Sequence, residues 1–264
     1  MTLENVVVET VEPGICVVKI SRPSALNALN TTTLIELNTV LQKEAQNPKT
    51  RVVILTGAGD KAFIAGADIT EMQNKNASDG VLFAQLGHEV TKLLELMPKP
   101  TIAAVNGYAL GGGTEMAIAC DFIVASEKAV FGQPEVSLGI IPGFGATIRL
   151  AKFVGLPKAK ELIFSGKRIK ADEALAIGLI NHVYPTENFM THVIELAKTI
   201  SQQSLPAVVK CKQLMNEFSE TTGLNFKLDA EAQTFGQLFG TADQREGMTA
   251  FTDKRKAIFQ GLSL

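Results

Sequence analysis

The stretch Thr101–Ala125, TIAAVNGYALGGGTEMAIACDFIVA, decides how this chain is read. Thr101 to Asn106 is a short run of β-branched and small apolar residues, the pattern of a buried strand. Gly107 and Gly111 to Gly113 mark a turn, Glu115 to Ala119 continue as a helix, and Asp121 to Ala125 return to a strand. Strand, turn, helix and strand in immediate succession predict an α/β fold with mostly buried strands.

The same rhythm extends outward. Upstream, Arg51 to Thr56 (RVVILT) reads as a strand ending at Gly57, and a glycine- and alanine-rich loop runs on to Gly66. Leu82, Leu86, Val90, Leu93 and Met97 mark one face of a helix that Pro98 and Pro100 end. Nearer the start, Val6 to Thr10 and Ile15 to Ile20 are strands around Pro13-Gly14. Thr31 to Thr33 offer cap oxygens to a helix carrying Leu34, Leu37, Leu41 and Ala45. From about Glu187 the strand signals stop. Helical periodicity covers Val193 to Ile200, Ala207 to Phe218, Leu224 to Phe239 and Arg245 to Phe259, punctuated by Gly223 and Gly240. Two regions are expected: residues 1–200 as an α/β core with the site, and 201–264 as a helical region.

Composition narrows the function classes. The net charge is −2 and the basic residues are dispersed, so no nucleic-acid groove is expected. No run approaches the ~18 apolar residues of a membrane span. The opening Met-Thr-Leu-Glu-Asn has no signal-peptide character, which suggests a cytoplasmic protein. Cys16, Cys120 and Cys211 are scattered, and His88, His182 and His192 show no ligand spacing, so no metal site is expected.

Two loops and two acids carry the chemistry. Small residues in Ala62–Asp68 let a ligand approach the backbone, although a tight strand-to-helix turn needs small residues too. Asp68 is placed to begin a helix. In Asn106–Glu115, three glycines before a helix expose N–H groups at its electropositive end, which suits an anion or a developing oxyanion. A dinucleotide fingerprint fits poorly, because with Gly111 and Gly113 as its first two glycines the third falls on Met116. Glu115 is the only charged side chain between Lys99 and Asp121, and Glu135 lies in Phe131-Gly132-Gln133-Pro134-Glu135-Val136. Carboxylates in such surroundings lose solvation and gain proton affinity, as a general acid or base near neutral pH requires. For either one alone, a salt-bridged or capping role is the alternative, and spacing does not show that the two meet.

In combination these residues resemble the enoyl-CoA hydratase/isomerase (crotonase) family over essentially the whole chain. The resemblance rests on Ser21-Arg22-Pro23 with Ala25-Leu26-Asn27-Ala28-Leu29, and on Ala62-Phe63 with Ala65-Gly66-Ala67-Asp68-Ile69. It continues through Ile102 to Gly113 with Glu115, Phe131 to Glu135, Leu138-Gly139, Ile141-Pro142-Gly143, Ala174-Leu175 and Gly178-Leu179. It implies an α/β core of spiralling β-β-α turns, with a helical C-terminal region that forms trimers, often paired into hexamers. It implies hydration of a 2-trans-enoyl-CoA, by syn addition, to the 3-hydroxyacyl-CoA. The setting would be fatty-acid β-oxidation or short-chain acyl-CoA metabolism, with coenzyme A as part of the substrate and no separate cofactor.

By the same resemblance Glu115 and Glu135 are the catalytic acids, and the N–H groups of Ala67 and Gly112 form the oxyanion hole. Ala25, Leu26, Ala28, Ala65, Asp68, Ile69, Pro134, Leu138 and Gly143 contact substrate or its CoA portion. Leu138, Ile140 and Phe144 are acyl-pocket candidates, each with core packing as the alternative. Phe251 and Lys254 resemble residues reaching the adenine end. Departures occur at Gly145-Ala146-Thr147-Ile148-Arg149, Thr70 and Thr114, and they leave chain-length preference and CoA affinity open. Retention of both glutamates favours hydration over isomerisation. A non-catalytic CoA- or RNA-binding module is the rival of another class, and an RNA-binding role would require a basic face.

Overall fold

The computed structural model describes residues 3–217, 223–239 and 241–260. β1 (Val6–Glu12) and β2 (Ile15–Ile20) form an antiparallel hairpin over Pro13-Gly14. Next come α1 (Thr31–Gln46), β3 (Val52–Gly57), β4 (Ala62–Ile64), the short α2 (Ile69–Met72) and α3 (Ala77–Leu96). β5 (Thr101–Val105), β6 (Tyr108–Leu110) and α4 (Gly112–Ala119) follow, then β7 (Phe122–Ser126) and β8 (Val130–Gly132). The remainder is α5 (Ala146–Val154), α6 (Leu156–Ser165), β9 (Arg168–Lys170), α7 (Ala171–Ala176), β10 (His182–Tyr184), α8 (Phe189–Ser201), α9 (Leu205–Glu217), α10 (Leu224–Leu238) and α11 (Ala242–Thr252).

Two sheets share the work. One has six strands in the order β1-β2-β3-β5-β7-β10, parallel from β2 onward, with Ile54 opposite Ile102 and Ala103 opposite Ile123. The other has four short strands in the order β4-β6-β8-β9. Each of the pairs β3/β4, β5/β6 and β7/β8 gives one strand to each sheet and then passes into helices. This is the spiral of β-β-α turns that the resemblance implied. Its corners are tight: the Asn106 amide donates to Gly57 O and Gly59 O, both at 2.9 Å, and the buried Asn27 donates to Ala58 O and Ala62 O at 2.9 and 2.8 Å.

Strand alternation splits the core across the large sheet. Ile15, Val17, Val52, Ile54, Ile102, Ala104 and Val124 face α8, meeting Phe189, Val193 and Ala197. Cys16, Val18, Val53, Leu55, Ala103, Val105 and Ile123 face the opposite way, into the layer that holds α1, α3, α4 and the small sheet. β3 and β5 are buried on both faces, which explains their unbroken apolar sequence.

Several sequence expectations change. β4 and β6 lie in segments read as a loop and a turn, and β8 in one given no element; three residues are too few to show a period. α4 begins at Gly112, so two glycines of the run are inside the helix. α1 is capped by Asn30, whose side chain accepts from Thr33 N at 2.9 Å, and not by Thr31 to Thr33. α5, α6 and α7 had no counterpart in the sequence reading, and α11 stops at Thr252, short of Phe259. Phe218 and Gly240, which bounded or punctuated the expected helices, lie outside the described residues. Among the described residues no helix is long and apolar enough to cross a membrane.

Candidate active site

α4 is buried at all eight positions, Glu115 included. Glu115 is 2% exposed, and its Oε1 accepts hydrogen bonds from Phe144 N at 2.8 Å and Ala146 N at 2.9 Å. Burial pushes its proton affinity up, while the Ala146, Phe144 and Gly145 amides and the Arg149 guanidinium oppose that shift. Both strong bonds fall on one oxygen, which leaves Oε2 for a ligand.

Glu135 is 8% exposed and opens a single 3-10 turn (Glu135–Leu138) after Pro134. Burial raises its pKa to about 7, and the charge of Glu115 adds to the shift. The Gln133 amide lies against it: turned nitrogen-first, it stands 3.0 Å from both carboxylate oxygens. Turned oxygen-first, it could accept from the protonated acid, so one amide serves both charge states. Thr114 ties the two acid-bearing segments together, its hydroxyl donating to Ala109 O at 2.6 Å and Gly132 O at 3.1 Å.

Both acids line one cavity of about 950 Å³ between the Ala65–Asn76 segment, α3, the start of α4 and residues 134–148. Ala67 and Gly112 line it as well. The Gly111 N–H is taken by Gly132 O at 2.8 Å, but among the described residues no acceptor takes the N–H of Ala67 or Gly112. For Gly112 the reason is its place in the first turn of α4, where intrahelical acceptors are missing. For Ala67 it is the bridge to Leu29, which uses Gly66 O and Asp68 N and skips the Ala67 N–H. Gly111 must be glycine: its φ is +51°, and a Cβ there would lie 2.6 Å from Glu135 Oε1.

The other expected contact residues divide. Ala65, Ile69, Pro134, Leu138 and Gly143 line the cavity, as do Ile140 and Phe144. Ala25, Leu26, Ala28 and Asp68 do not. Leu26 O instead accepts from Ala65 N and supports the loop from behind. Asp68 caps α2 and pairs with Arg22 at 2.9 Å; its pKa is lowered first by the Thr70 hydroxyl and then by Arg22. Phe251 and Lys254 are exposed and lie off the cavity. The sequence reading missed Phe83, Lys75 and His88, which reach the cavity from α3 and the segment before it. They sit on a face set by helix rotation, and no local motif marks them. Phe144 lines the cavity, its ring 5.5 Å from Phe83 and packed where Gly87 and Gly112 lack side chains.

An α/β spiral with two buried acids and two unsatisfied amides around one apolar cavity is an arrangement able to move protons beside an oxygen held by main-chain donors. The model of the family "Enoyl-CoA hydratase/isomerase" matches residues 10–262. The chain is 49% identical to the short-chain-enoyl-CoA hydratase of Clostridium acetobutylicum, covering 97% of each protein. It is 47% identical to the crotonyl-CoA hydratase of Syntrophomonas wolfei, covering 98% of this chain and 99% of that one. The crystal structure of an enoyl-CoA hydratase from Bacillus anthracis superposes with a TM-score of 0.94 at 38% identity, over 98% of this chain and all of that one. The chain belongs to the enoyl-CoA hydratase/isomerase family.

Proposed function

We propose that the protein is an enoyl-CoA hydratase that adds water, in the syn sense, to short 2-trans-enoyl-CoA thioesters. The observation that carries this reading is the meeting of Glu115, Glu135 and the unpartnered Ala67 and Gly112 amides in one cavity. The two curated relatives named above, both hydratases, support the activity and the short acyl chain.

The proposed reaction follows from the charges. The thioester oxygen sits between the Ala67 and Gly112 N–H groups, at the positive end of α4. Water, held by Glu115 Oε2, attacks the β-carbon and gives a proton to Glu115. The π electrons move through the α-carbon to the thioester oxygen, where each N–H contributes about 3 kcal/mol to the transition state. Glu135, protonated, delivers its proton to the α-carbon as the carbonyl re-forms. Burial raises the proton affinity of Glu115 against the pull of its main-chain donors, and a pKa of about 7 keeps Glu135 partly protonated near neutral pH, so the two acids titrate as a coupled pair. Coenzyme A enters as part of the substrate, and no step requires another cofactor.

The proposal extends to assembly and setting. Leu228, Phe235, Phe239 and Phe251 on and beside α10 and α11 are half or more exposed, an apolar surface suited to a second copy of the chain in a trimer or hexamer. The proposed setting is cytoplasmic acyl-CoA metabolism, such as β-oxidation. The test is turnover of crotonyl-CoA, followed by loss of the conjugated thioester absorbance, in Glu115→Gln and Glu135→Gln. Each variant should lose two or more orders of magnitude in kcat (about 10²–10⁴ for a lost acid or base) while binding butyryl-CoA normally. Near-normal turnover in either variant would refute its assigned role. A 3-enoyl-CoA turned over faster than crotonyl-CoA would make isomerisation the main activity.

A further inference from the structure

The turn that grips Glu115 is itself gripped. Arg149, in α5, donates from Nη1 to Phe144 O at 3.2 Å, and from Nε and Nη2 to Glu95 Oε2 at 3.0 and 2.7 Å. Its guanidinium lies over Gly145, where a Cβ would meet Nη1 at 2.2 Å. Gly145 also has φ +116°, so the turn accepts no side chain there on two counts. The Thr91 hydroxyl of α3, shared with His88 O at 3.1 Å, also lies 3.3 Å from Phe144 O. Fixing that carbonyl fixes the peptide plane between the two amides that converge on Glu115 Oε1.

Glu95 is a firm anchor because its own backbone is tied. The Asn216 amide of α9 donates to Glu95 O at 2.9 Å, and Lys212 Nζ donates to Leu94 O and Lys99 O at 3.1 and 3.0 Å. A continuous set of polar contacts therefore runs from α9 through the end of α3 to Arg149, Phe144 and Glu115. Arg149 does not line the cavity, so it acts through the turn.

We propose that Arg149, anchored by Glu95, is the positioning residue for Glu115: it holds residues 144–146 so that one carboxylate oxygen is fixed and the other faces the substrate. This rests on the role proposed for Glu115 in hydration. Lysine replaces arginine only in part here, because one ammonium cannot hold Phe144 O and both contacts to Glu95 in a planar fork. Loss of the clamp lets the carboxylate swing, and displacements of about 1 Å can cost on the order of a hundredfold in rate.

The experiment measures kcat and KM for crotonyl-CoA, the Kd of butyryl-CoA and the unfolding midpoint in Arg149→Met, Arg149→Lys and Glu95→Gln. In Arg149→Met kcat should fall on the order of a hundredfold, with the Kd of butyryl-CoA changed by less than about threefold. Arg149→Lys should recover part of that loss. Glu95→Gln, the milder change at a partly exposed position, should lose on the order of tenfold in kcat with an unaltered unfolding midpoint. It serves as the deciding variant should Arg149→Met fail to fold. A folded Arg149→Met or Glu95→Gln with wild-type kcat, or one whose only change is a weaker Kd, overturns the inference. If Glu115→Gln is inactive while Arg149→Met is not, the positioning role alone falls. If Glu115→Gln turns over normally, the role of Glu115 falls and this inference with it.

Discussion

Replacing Glu135 by glutamine should make the protein more stable at alkaline pH while stopping its chemistry. Burial raises the Glu135 carboxyl from 4.5 to about 7. The folded protein therefore binds that proton more tightly than the unfolded chain does. Below about 4.5 both states are protonated and Glu135 costs nothing. Between 4.5 and 7 the unfolded chain releases its proton first, so stability falls as pH rises. Above 7 the loss is complete, and at about 1.4 kcal/mol per tenfold in proton affinity it amounts to about 3 kcal/mol. Glutamine has the same shape and no charge, and the Gln133 amide can turn its oxygen toward the new side chain. Glu135→Gln should then raise stability by about 3 kcal/mol at pH 8 and by less than about 1 kcal/mol at pH 5. For a chain of this size that is about 6–10 °C in unfolding midpoint at pH 8. Thermal unfolding at fixed protein concentration and two pH values reads the difference. An equal shift at both pH values, or a destabilised variant at pH 8, would refute the claim that Glu135 is a desolvated carboxyl.

Two further substitutions probe the walls of the same site. Gly111→Ala places a methyl 2.6 Å from Glu135 Oε1 at a backbone angle of +51°. It should cost about 1–3 kcal/mol in stability and lower kcat on the order of tenfold or more, measured by denaturant unfolding and crotonyl-CoA turnover; a silent variant contradicts the close approach. Phe144→Ala removes a ring that is 4% exposed, at a cost of about 3–5 kcal/mol, and deepens the cavity. The ratio of turnover on longer enoyl-CoAs to that on crotonyl-CoA should rise, and an unchanged ratio means that the ring does not limit chain length.

The legible parts of this fold were those with long or punctuated patterns. β2, β3, β5 and β7 each carry four or five apolar or β-branched residues, and the sequence marks each one. The small sheet was illegible because β4, β6 and β8 have three residues each and their pairing is entirely non-local. At the site, Glu115 and Glu135 stood out as lone acids in apolar segments. Their meeting did not, since it depends on β6 and β8 lying side by side with Leu110 opposite Gly132. Asp68 is a different case: its placement at the start of a helix holds, and its side chain is engaged by that cap and by Arg22 without lining the cavity. Arg149 ended a run noted only for departing from the family pattern around it, and no local signal shows that it meets Glu95, 54 residues earlier.

For Glu115 the sequence left a choice between a helix cap and a catalytic acid, and the structure removes the conflict. α5 begins at Ala146 with no side-chain cap, because its cap position is Gly145. Its start would therefore leave buried N–H groups unsatisfied, at a cost of about 1–3 kcal/mol each. Glu115 Oε1 accepts from two of the amides at that start, Phe144 and Ala146, although the acid belongs to a different helix. The burial that disfavours a carboxylate on α4 is opposed, though not cancelled, by donors that have no other partner. A single oxygen suffices for this, so the second is free to hold water. The cap is thus the device that keeps the acid, fixed in direction, inside an apolar cavity. Alanine at position 115 would unbalance α5 as well as the chemistry, whereas glutamine keeps an acceptor for both amides and isolates the loss of the acid.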